Sequence, residues 1–109
     1  MKGKIVLVPF PFTDLMAAKL RPALVVYEGK KDAVVAFISS KIPSELSDVD
    51  ILIRQDHSGF KRTGLKVDSV IKLDKIATVL KDLIVGELGE LDEDLRGEVN
   101  HKLKRIMEI

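Results

Sequence analysis

Four side chains of this sequence are of the types that act on phosphate esters: Arg21, Ser39, Lys72 and Asp74. The guanidinium of Arg21 stays charged and can donate two hydrogen bonds to phosphate oxygens, or it can anchor a loop through a carboxylate such as Asp14. Lys72 and Asp74 are two residues apart in a predicted strand, so they face the same side. They could flank one phosphate or form a weak ion pair. The residue types alone leave both interpretations open.

Ser39 stands at the end of a predicted strand and offers a neutral hydroxyl. Such a hydroxyl can donate a hydrogen bond to a phosphate oxygen, but it is a poor base unless a neighbour takes its proton. Ser40 could replace it if the strand register differs by one residue, and a polar strand end with no chemical role is the alternative. His57 and His101 lie far from these positions, so we assign neither of them a role.

The composition predicts one globular domain over residues 1–109, because 46% hydrophobic and 32% charged residues can bury a core and argue against disorder. The absence of cysteine excludes a disulfide framework, a thiolate metal site and a thiol nucleophile, and favours a cytoplasmic location. The apolar run near the amino end is too short for a signal peptide or a membrane span. No spacing typical of metal ligands and no glycine-rich phosphate loop is present, so we expect no metal and no cofactor.

Charge is unevenly distributed along the chain, although the net charge is only +1. Residues 54–75 carry six Lys and Arg side chains against three Asp, whereas residues 87–98 are acidic apart from Arg96. A basic middle segment predicts a face that binds a polyanion. The alternative is that these charges only keep loops soluble.

Runs rich in Ile, Val and Leu without helical periodicity predict strands. Five such runs occupy the first two thirds of the chain, at residues 4–10, 22–27, 32–38, 49–53 and 65–76. The turn at residues 28–31 joins two of them into an antiparallel hairpin. Residues 83–91 form a weaker sixth candidate because they contain two glycines, and residues 55–64 are predicted to be a surface loop.

The pattern changes after residue 92, where apolar residues recur at spacings of four, four, three and three: Leu95, Val99, Leu103, Ile106 and Ile109. These spacings place the residues on one face of an amphipathic helix, with Asp92 as its N-cap. Strands followed by one packed helix predict a mainly β fold with a C-terminal α-helix, in the form of a small, bent antiparallel barrel or half-barrel.

Four blocks of the sequence, at residues 3–14, 19–26, 36–41 and 64–76, resemble in order and spacing the PemK or MazF-like growth inhibitors. Leu88-Gly89 and the C-terminal helix fit the same family, so the resemblance spans nearly the whole chain. It implies an SH3-like antiparallel barrel of the CcdB/PemK/MazF type.

The resemblance also implies a function. Proteins of this kind are homodimeric endoribonuclease toxins that cut single-stranded RNA, chiefly mRNA, without a metal. A cognate antitoxin peptide silences them, and the complex with the antitoxin binds DNA; no membrane is involved. The implied reaction is attack of a 2′-hydroxyl on the adjacent phosphorus, which leaves a cyclic phosphate and a 5′-hydroxyl.

Roles for individual residues follow from the same resemblance. Arg21 matches the catalytic arginine, to which we assign transition-state stabilisation. Ser39 stands where relatives usually carry a threonine, so the hydroxyl is present but the methyl is lost. Lys72 and Asp74 stand where some relatives have an arginine and an aspartate with acid-base roles, whereas a histidine found in the first loop of some relatives has no counterpart here.

Contacts to RNA are expected from aromatic stacking, polar side chains and phosphate-binding cations. The candidates are Phe12, Thr13, Asp14, Lys19, Ser40, Lys41, Lys61, Arg62 and Ser69. Phe10 and Phe60 could also stack on bases, although core packing is the more frequent fate of a phenylalanine.

Two alternatives to cleavage remain at this stage. One is a non-catalytic toxin of the same fold that binds a protein target such as DNA gyrase through its C-terminal helix, which an exposed apolar C-terminus would favour. The other is a degenerate toxin that binds RNA without cutting it. Fold alone cannot choose between these functions.

Overall fold

A computed structural model describes residues 1–9 and 19–109 of the chain. Four of the residues considered above, Phe10, Phe12, Thr13 and Asp14, lie outside the described residues. The strands are β1 (Lys4–Pro9), β2 (Leu20–Glu28), β3 (Asp32–Ser39), β4 (Asp50–Ile53), β5 (Ser69–Leu80) and β6 (Gly86–Glu90). The α-helices are α1 (Phe60–Thr63) and α2 (Glu93–Met107), and a 3₁₀ turn covers Lys81–Leu83.

The six strands form one curled antiparallel sheet in the order β4-β5-β3-β2-β1-β6. Together with the C-terminal helix this is the predicted fold class, a half-barrel of mainly β structure, and the prediction is confirmed. The predicted hairpin is the β2–β3 pair. Strand β5 extends beyond the predicted end at Ile76 to Leu80 and so pairs with the whole length of β3.

Both faces of the sheet carry buried apolar side chains, because alternate residues of a strand point to opposite sides. The helix-side core includes Ile5, Leu24, Ile38, Ile71 and Leu95. A second cluster on the other side comprises Val6, Val8, Ala23, Val25, Ala33, Val35 and Val79. Strand β1 alternates between the two clusters, which explains its continuous apolar sequence.

Helix α2 begins as predicted, since the Asp92 side chain accepts a hydrogen bond from the backbone N–H of Leu95 at 2.9 Å. Leu95 and Val99 are buried in the helix-side core, and Leu103 and Ile106 pack against it. The helix ends at Met107, so the inclusion of Ile109 in the buried face was wrong; this residue is fully exposed.

The predicted loop at residues 55–64 contains the short helix α1, which the sequence analysis missed. This helix packs closely on β6, because Gly64 and Gly89 leave room for the opposing backbone. Gly64 has a φ of 73°, and a Cβ there would overlap the carbonyl of Leu88. A Cβ at Gly89 would overlap the carbonyl of Arg62.

The basic middle segment and the acidic segment meet at Glu90. Its carboxylate is 3.1 Å from the Arg62 guanidinium, 3.4 Å from the Lys4 ammonium and 3.4 Å from the Arg96 guanidinium. The hydrogen bond from Arg62 and the charge of Lys4 hold the pKa of Glu90 below its ordinary value. Part of the positive charge expected on an anion-binding face is therefore neutralised within the molecule.

A second surface cluster gives a pH-dependent contribution to stability. Glu28 is 2.6 Å from the Lys81 ammonium and 2.9 Å from the amino-terminal ammonium of Met1. The hydrogen bond from Lys81, followed by that from Met1, lowers the pKa of Glu28 from 4.5 to about 2. A lowered folded-state pKa stabilises the fold above the unfolded value, and this stabilisation is lost as pH falls through the folded value.

We therefore expect the stability difference between the wild type and Glu28→Gln to be constant above about pH 5 and to vanish towards pH 2. Urea unfolding from pH 7 to pH 2.5 measures it. Glu93→Gln, an exposed residue of the first turn of α2, is the matched control. A difference that grows on acidification would contradict this assignment.

Candidate active site

Strand register brings Arg21 and Ser39 together. Arg21 is opposite Val8 in the β1–β2 pair, and the β2–β3 pair matches Ala23 with Phe37. Continuing that register by two residues places Arg21 opposite Ser39. Directly opposed residues of an antiparallel pair share a face, with Cβ atoms about 4.5–5.5 Å apart. We call this the site face; it also carries Val8 and is turned away from helix α2.

Lys72 belongs to the same face. It is opposite Phe37 in the β3–β5 pair and opposite Asp50 in the β4–β5 pair. Since Ser39 is opposite Val70, Lys72 is its diagonal neighbour, at a typical separation of about 7–8 Å. Arg21, Ser39 and Lys72 thus hold neighbouring backbone positions on three adjacent strands, while the Lys72 ammonium reaches to Asp50 on β4.

Arg21 carries an unsatisfied hydrogen-bond donor. Its Nε atom is buried and has no hydrogen-bond partner within residues 1–9 and 19–109. A buried donor without a partner costs about 1–3 kcal/mol. The alternative role, in which a carboxylate anchors Arg21, has no support among the described residues, and Asp14 lies outside them. The guanidinium is therefore suited to an anion that arrives from solution.

The Ser39 hydroxyl is held in place by the backbone. Its Oγ accepts a hydrogen bond from the N–H of Lys41 at 3.1 Å, and the side chain is partly exposed. An oxygen that accepts this bond can still donate its own hydrogen. The donor can point to a phosphate oxygen on the site face.

Lys72 pairs with a carboxylate that the sequence analysis did not single out. Its Nζ is 2.8 Å from Oδ1 of Asp50, a residue only 2% exposed. Burial opposes ionisation of Asp50, but the Lys72 ammonium and the backbone N–H of Ser47 outweigh it and hold the pKa of Asp50 below its ordinary value. The pairing of Lys72 with Asp74 considered above is not observed. Asp74 is exposed and falls where the β3–β5 register shifts, between the pairs of Phe37 and Ala36.

A cleft of about 320 Å³ also reaches Arg21, but its other strand residues alternate with those of the site face and share the side of Ile38, in the helix-side core. Its walls are mostly apolar, and its lining comprises Leu7, Arg21, Pro22, Ile38, Ser40, Gly64, Leu65, Lys66, Val67, Ser69 and Leu88. Ser40 and Ser69, two predicted RNA contacts, therefore belong to this cleft, whereas Ser39 does not. The Ser69 hydroxyl donates a hydrogen bond to the Val67 carbonyl at 2.9 Å. Lys66 is a cationic lining residue that the sequence analysis left out.

Comparison with known proteins identifies the family. The model of the PemK-like, MazF-like toxins of type II toxin-antitoxin systems matches residues 1–107. The chain belongs to this toxin family. The resemblance noted on four sequence blocks is thereby confirmed over nearly the full length.

Solved structures of similar fold include several toxins. An endoribonuclease in complex with its cognate antitoxin, from a mycobacterial species, superposes with a TM-score of 0.74 at 15% identity, covering 100% of this chain and 95% of that one. The Mycobacterium tuberculosis toxin MazF-mt6 gives 0.74 at 14% identity, with 97% of each chain covered. MazF from Deinococcus radiodurans gives 0.70 at 19% identity, with 99% and 96% covered. These identities show the fold alone, and no curated protein matches the sequence.

The remaining predicted RNA contacts of this MazF-like toxin are scattered over its surface. Lys19, Lys41 and Lys61 are exposed, whereas Arg62 is paired with Glu90. Phe60 packs against the helix-side core, so core packing and not stacking describes its environment. No group of three or more His, Cys, Asp or Glu side chains suited to a metal ion occurs in the described part of the chain. None of its described helices is long and apolar enough to span a membrane.

Proposed function

We propose that this MazF-like toxin is a metal-independent endoribonuclease that cleaves single-stranded RNA. The observation that carries the proposal is the buried Nε of Arg21, which has no partner among the described residues, at a position that the β2–β3 register places opposite Ser39 when it is continued by two residues. Such a cation, beside a hydroxyl that can donate its hydrogen, suits a phosphate group. RNA presents that phosphate next to the 2′-hydroxyl that the reaction needs.

In the proposed reaction the 2′-oxygen forms a bond to phosphorus while the bond from phosphorus to the 5′-oxygen breaks. The products are a 2′,3′-cyclic phosphate and a 5′-hydroxyl. The 2′-hydroxyl loses its proton to a base, and the leaving 5′-oxygen gains one. Negative charge grows on the phosphate oxygens in the transition state, and preorganised donors lower the barrier most where that charge develops.

Each proposed catalytic residue takes one part of this chemistry. Arg21 donates hydrogen bonds to the phosphate oxygens through its guanidinium. Ser39 donates a further hydrogen bond, and Lys72 supplies a second positive charge. Asp74 is exposed and free of any ion pair among the described residues, and we propose it as the proton acceptor.

RNA binding is proposed to involve the cleft as well, which Arg21 lines although the other strand residues of the cleft face the opposite side of the sheet. Ser40, Lys66 and Ser69 line this cleft and offer polar contacts between apolar walls. The exposed Lys19, Lys41 and Lys61 would bind backbone phosphates, which makes affinity fall with rising salt. Unpaired bases could occupy the apolar part of the cleft.

The partners are proposed by analogy with the family. We expect a homodimer that acts in the cytoplasm and is silenced by a cognate antitoxin peptide, with the complex able to bind DNA. Two of the similar structures contain a second protein: a mycobacterial endoribonuclease is in complex with its cognate antitoxin, and the structure from Deinococcus radiodurans is MazE-MazF.

Incubation of the purified protein with a long single-stranded RNA in excess EDTA tests the proposed activity. We expect discrete fragments with 2′,3′-cyclic phosphate and 5′-hydroxyl ends. The same RNA with 2′-O-methyl groups, which lacks the attacking hydroxyl, is the control and should stay intact. Cleavage that EDTA abolishes, or fragments with 5′-phosphate ends, would contradict the mechanism.

The exposed end of helix α2 favours one alternative. Met107 and Ile109 are both exposed, so an apolar C-terminus is available to a protein target such as DNA gyrase. A protein that neither binds nor cuts RNA in the experiment above would support that function, and binding without cleavage would indicate a degenerate toxin.

A further inference from the structure

We propose that Asp50 is a positioning residue of the active site, which holds the Lys72 ammonium on the site face and thereby accelerates RNA cleavage. This inference rests on the proposed function and deepens it. Asp50 is opposite Lys72 in the β4–β5 pair, and their charged groups are 2.8 Å apart. A lysine side chain has many rotamers, and its freedom is reduced when a fixed carboxylate binds its end.

Asp50 is itself firmly held. Its Oδ2 accepts the backbone N–H of Ser47 at 2.9 Å and the Ser47 hydroxyl at 3.2 Å. Its backbone carbonyl accepts a hydrogen bond from Lys102 of helix α2 at 2.7 Å. Ser47 therefore fixes the carboxylate, and Lys102 fixes the backbone of Asp50. Oδ1 is left for Lys72, whose ammonium is 2.8 Å away as an ion pair without hydrogen-bond geometry.

Lys72 is more accessible than its partner, which fits a group that also meets a ligand. Its side chain is 22% exposed, whereas that of Asp50 is 2% exposed. The partly exposed Lys72 side chain can therefore meet a ligand while Asp50, on the neighbouring strand β4, stays buried.

Asp50 is not suited to accept the proton of the 2′-hydroxyl. It is almost completely buried, and the neighbouring cation and hydrogen bonds keep it ionised. An anion stabilised in this way is a weak base. Its contribution is therefore to orient Lys72, and proton transfer belongs to another group.

Asp50→Asn tests the proposal, because asparagine retains the shape and can still accept the Ser47 bonds while losing the charge. We expect the single-turnover cleavage rate to fall about tenfold, with the Kd for a 2′-O-methyl RNA changed less than about twofold. In the background of Lys72→Met the same substitution should have no further effect, since Asp50 acts through Lys72. An unchanged rate in Asp50→Asn, or equal losses in both backgrounds, would overturn the proposal.

A readout independent of cleavage separates this proposal from the proposed function. Loss of Asp50 should raise the acetylation rate of Lys72 by an acylating reagent at least about threefold relative to Lys61 in the same molecule, because the amine is no longer held against a carboxylate 2.8 Å away and meets the reagent more freely. An unchanged ratio would refute the anchor. A wild type that cleaves no RNA would refute the nuclease assignment, while the acetylation ratio would still decide whether Asp50 holds Lys72.

A milder variant covers the case in which Asp50→Asn fails to fold. Ser47→Ala removes one of the two Ser47 bonds to Asp50 and should lower the rate by a smaller factor in the same direction. Ser44→Ala removes an exposed hydroxyl from the same loop and is the matched control. Equal rates for these two serine variants would count against the proposal, provided that thermal unfolding shows both to be folded.

Discussion

Arg21→Ala is expected to lower the single-turnover rate of RNA cleavage by about 100- to 1,000-fold, the typical loss on removing one preorganised donor from a site of developing charge. The guanidinium has a buried Nε without an acceptor among the described residues, so this donor is available to the phosphate. The loss should appear in the rate more than in the Kd, because the phosphate becomes more negative in the transition state.

A second variant at Arg21 and a control at another arginine define what the Arg21 guanidinium supplies. Arg21→Lys keeps a charge but loses the planar fork of donors, and we expect an intermediate rate. Arg54→Ala removes an exposed arginine that pairs with Asp56 at 3.4 Å and serves as the matched control. Cleavage by Arg21→Ala within about threefold of the wild type would remove the basis of the proposed function.

The second large effect is expected at Ser39. Ser39→Ala should reduce the cleavage rate about 10- to 100-fold, since the phosphate loses one donor and the Lys41 N–H loses its acceptor. Ser39→Thr should restore both bonds and cleave at least as fast as the wild type, because the threonine hydroxyl offers the same donor and acceptor.

Ser40→Ala distinguishes the two adjacent hydroxyls. Ser40 lines the cleft beside Arg21, whereas Ser39 is opposite Arg21 on the site face. We expect Ser40→Ala to raise the Kd for RNA. The rate at which bound RNA is cleaved should change little. The reverse outcome, with normal turnover in Ser39→Ala and a large loss in Ser40→Ala, would transfer the catalytic role to Ser40. Ser58→Ala, an exposed loop serine, is the control for both.

Local signals in the sequence predicted the elements that depend on them. The spacing of Leu95 and Val99 and the capping side chain of Asp92 are properties of neighbouring residues, and helix α2 follows from them. Alternation and turn residues likewise predicted the β2–β3 hairpin. Helix α1 was missed because its four residues are too few to show a helical period, and its stability comes from packing on β6 through Gly64 and Gly89.

The candidate site was predictable only in part, because its contacts depend on the pairing of strands that are distant in the chain. Arg21 and Ser39 were singled out from residue chemistry and family resemblance, and the strand register then brought them together. The pairing of Lys72 with Asp50 depends on β4 and β5, two strands separated by the loop and helix α1. The sequence suggested Asp74 as the partner because it is near in the chain, but Asp74 lies at the register shift in β5 and Lys72 pairs with Asp50 instead. The register between β4 and β5 therefore determines which carboxylate pairs with Lys72.

The isolated donor of Arg21 also has a thermodynamic cost, since an unsatisfied buried polar atom opposes folding. Under the proposed function, the toxin gives up conformational stability for reactivity at this residue. Filling the place with an apolar side chain of similar length, as in Arg21→Met, should yield an inactive protein that melts at a higher temperature than the active one. Oxyanions such as sulfate should protect the wild type against heat and leave that variant unaffected, which would make melting curves a simple reporter of site occupancy.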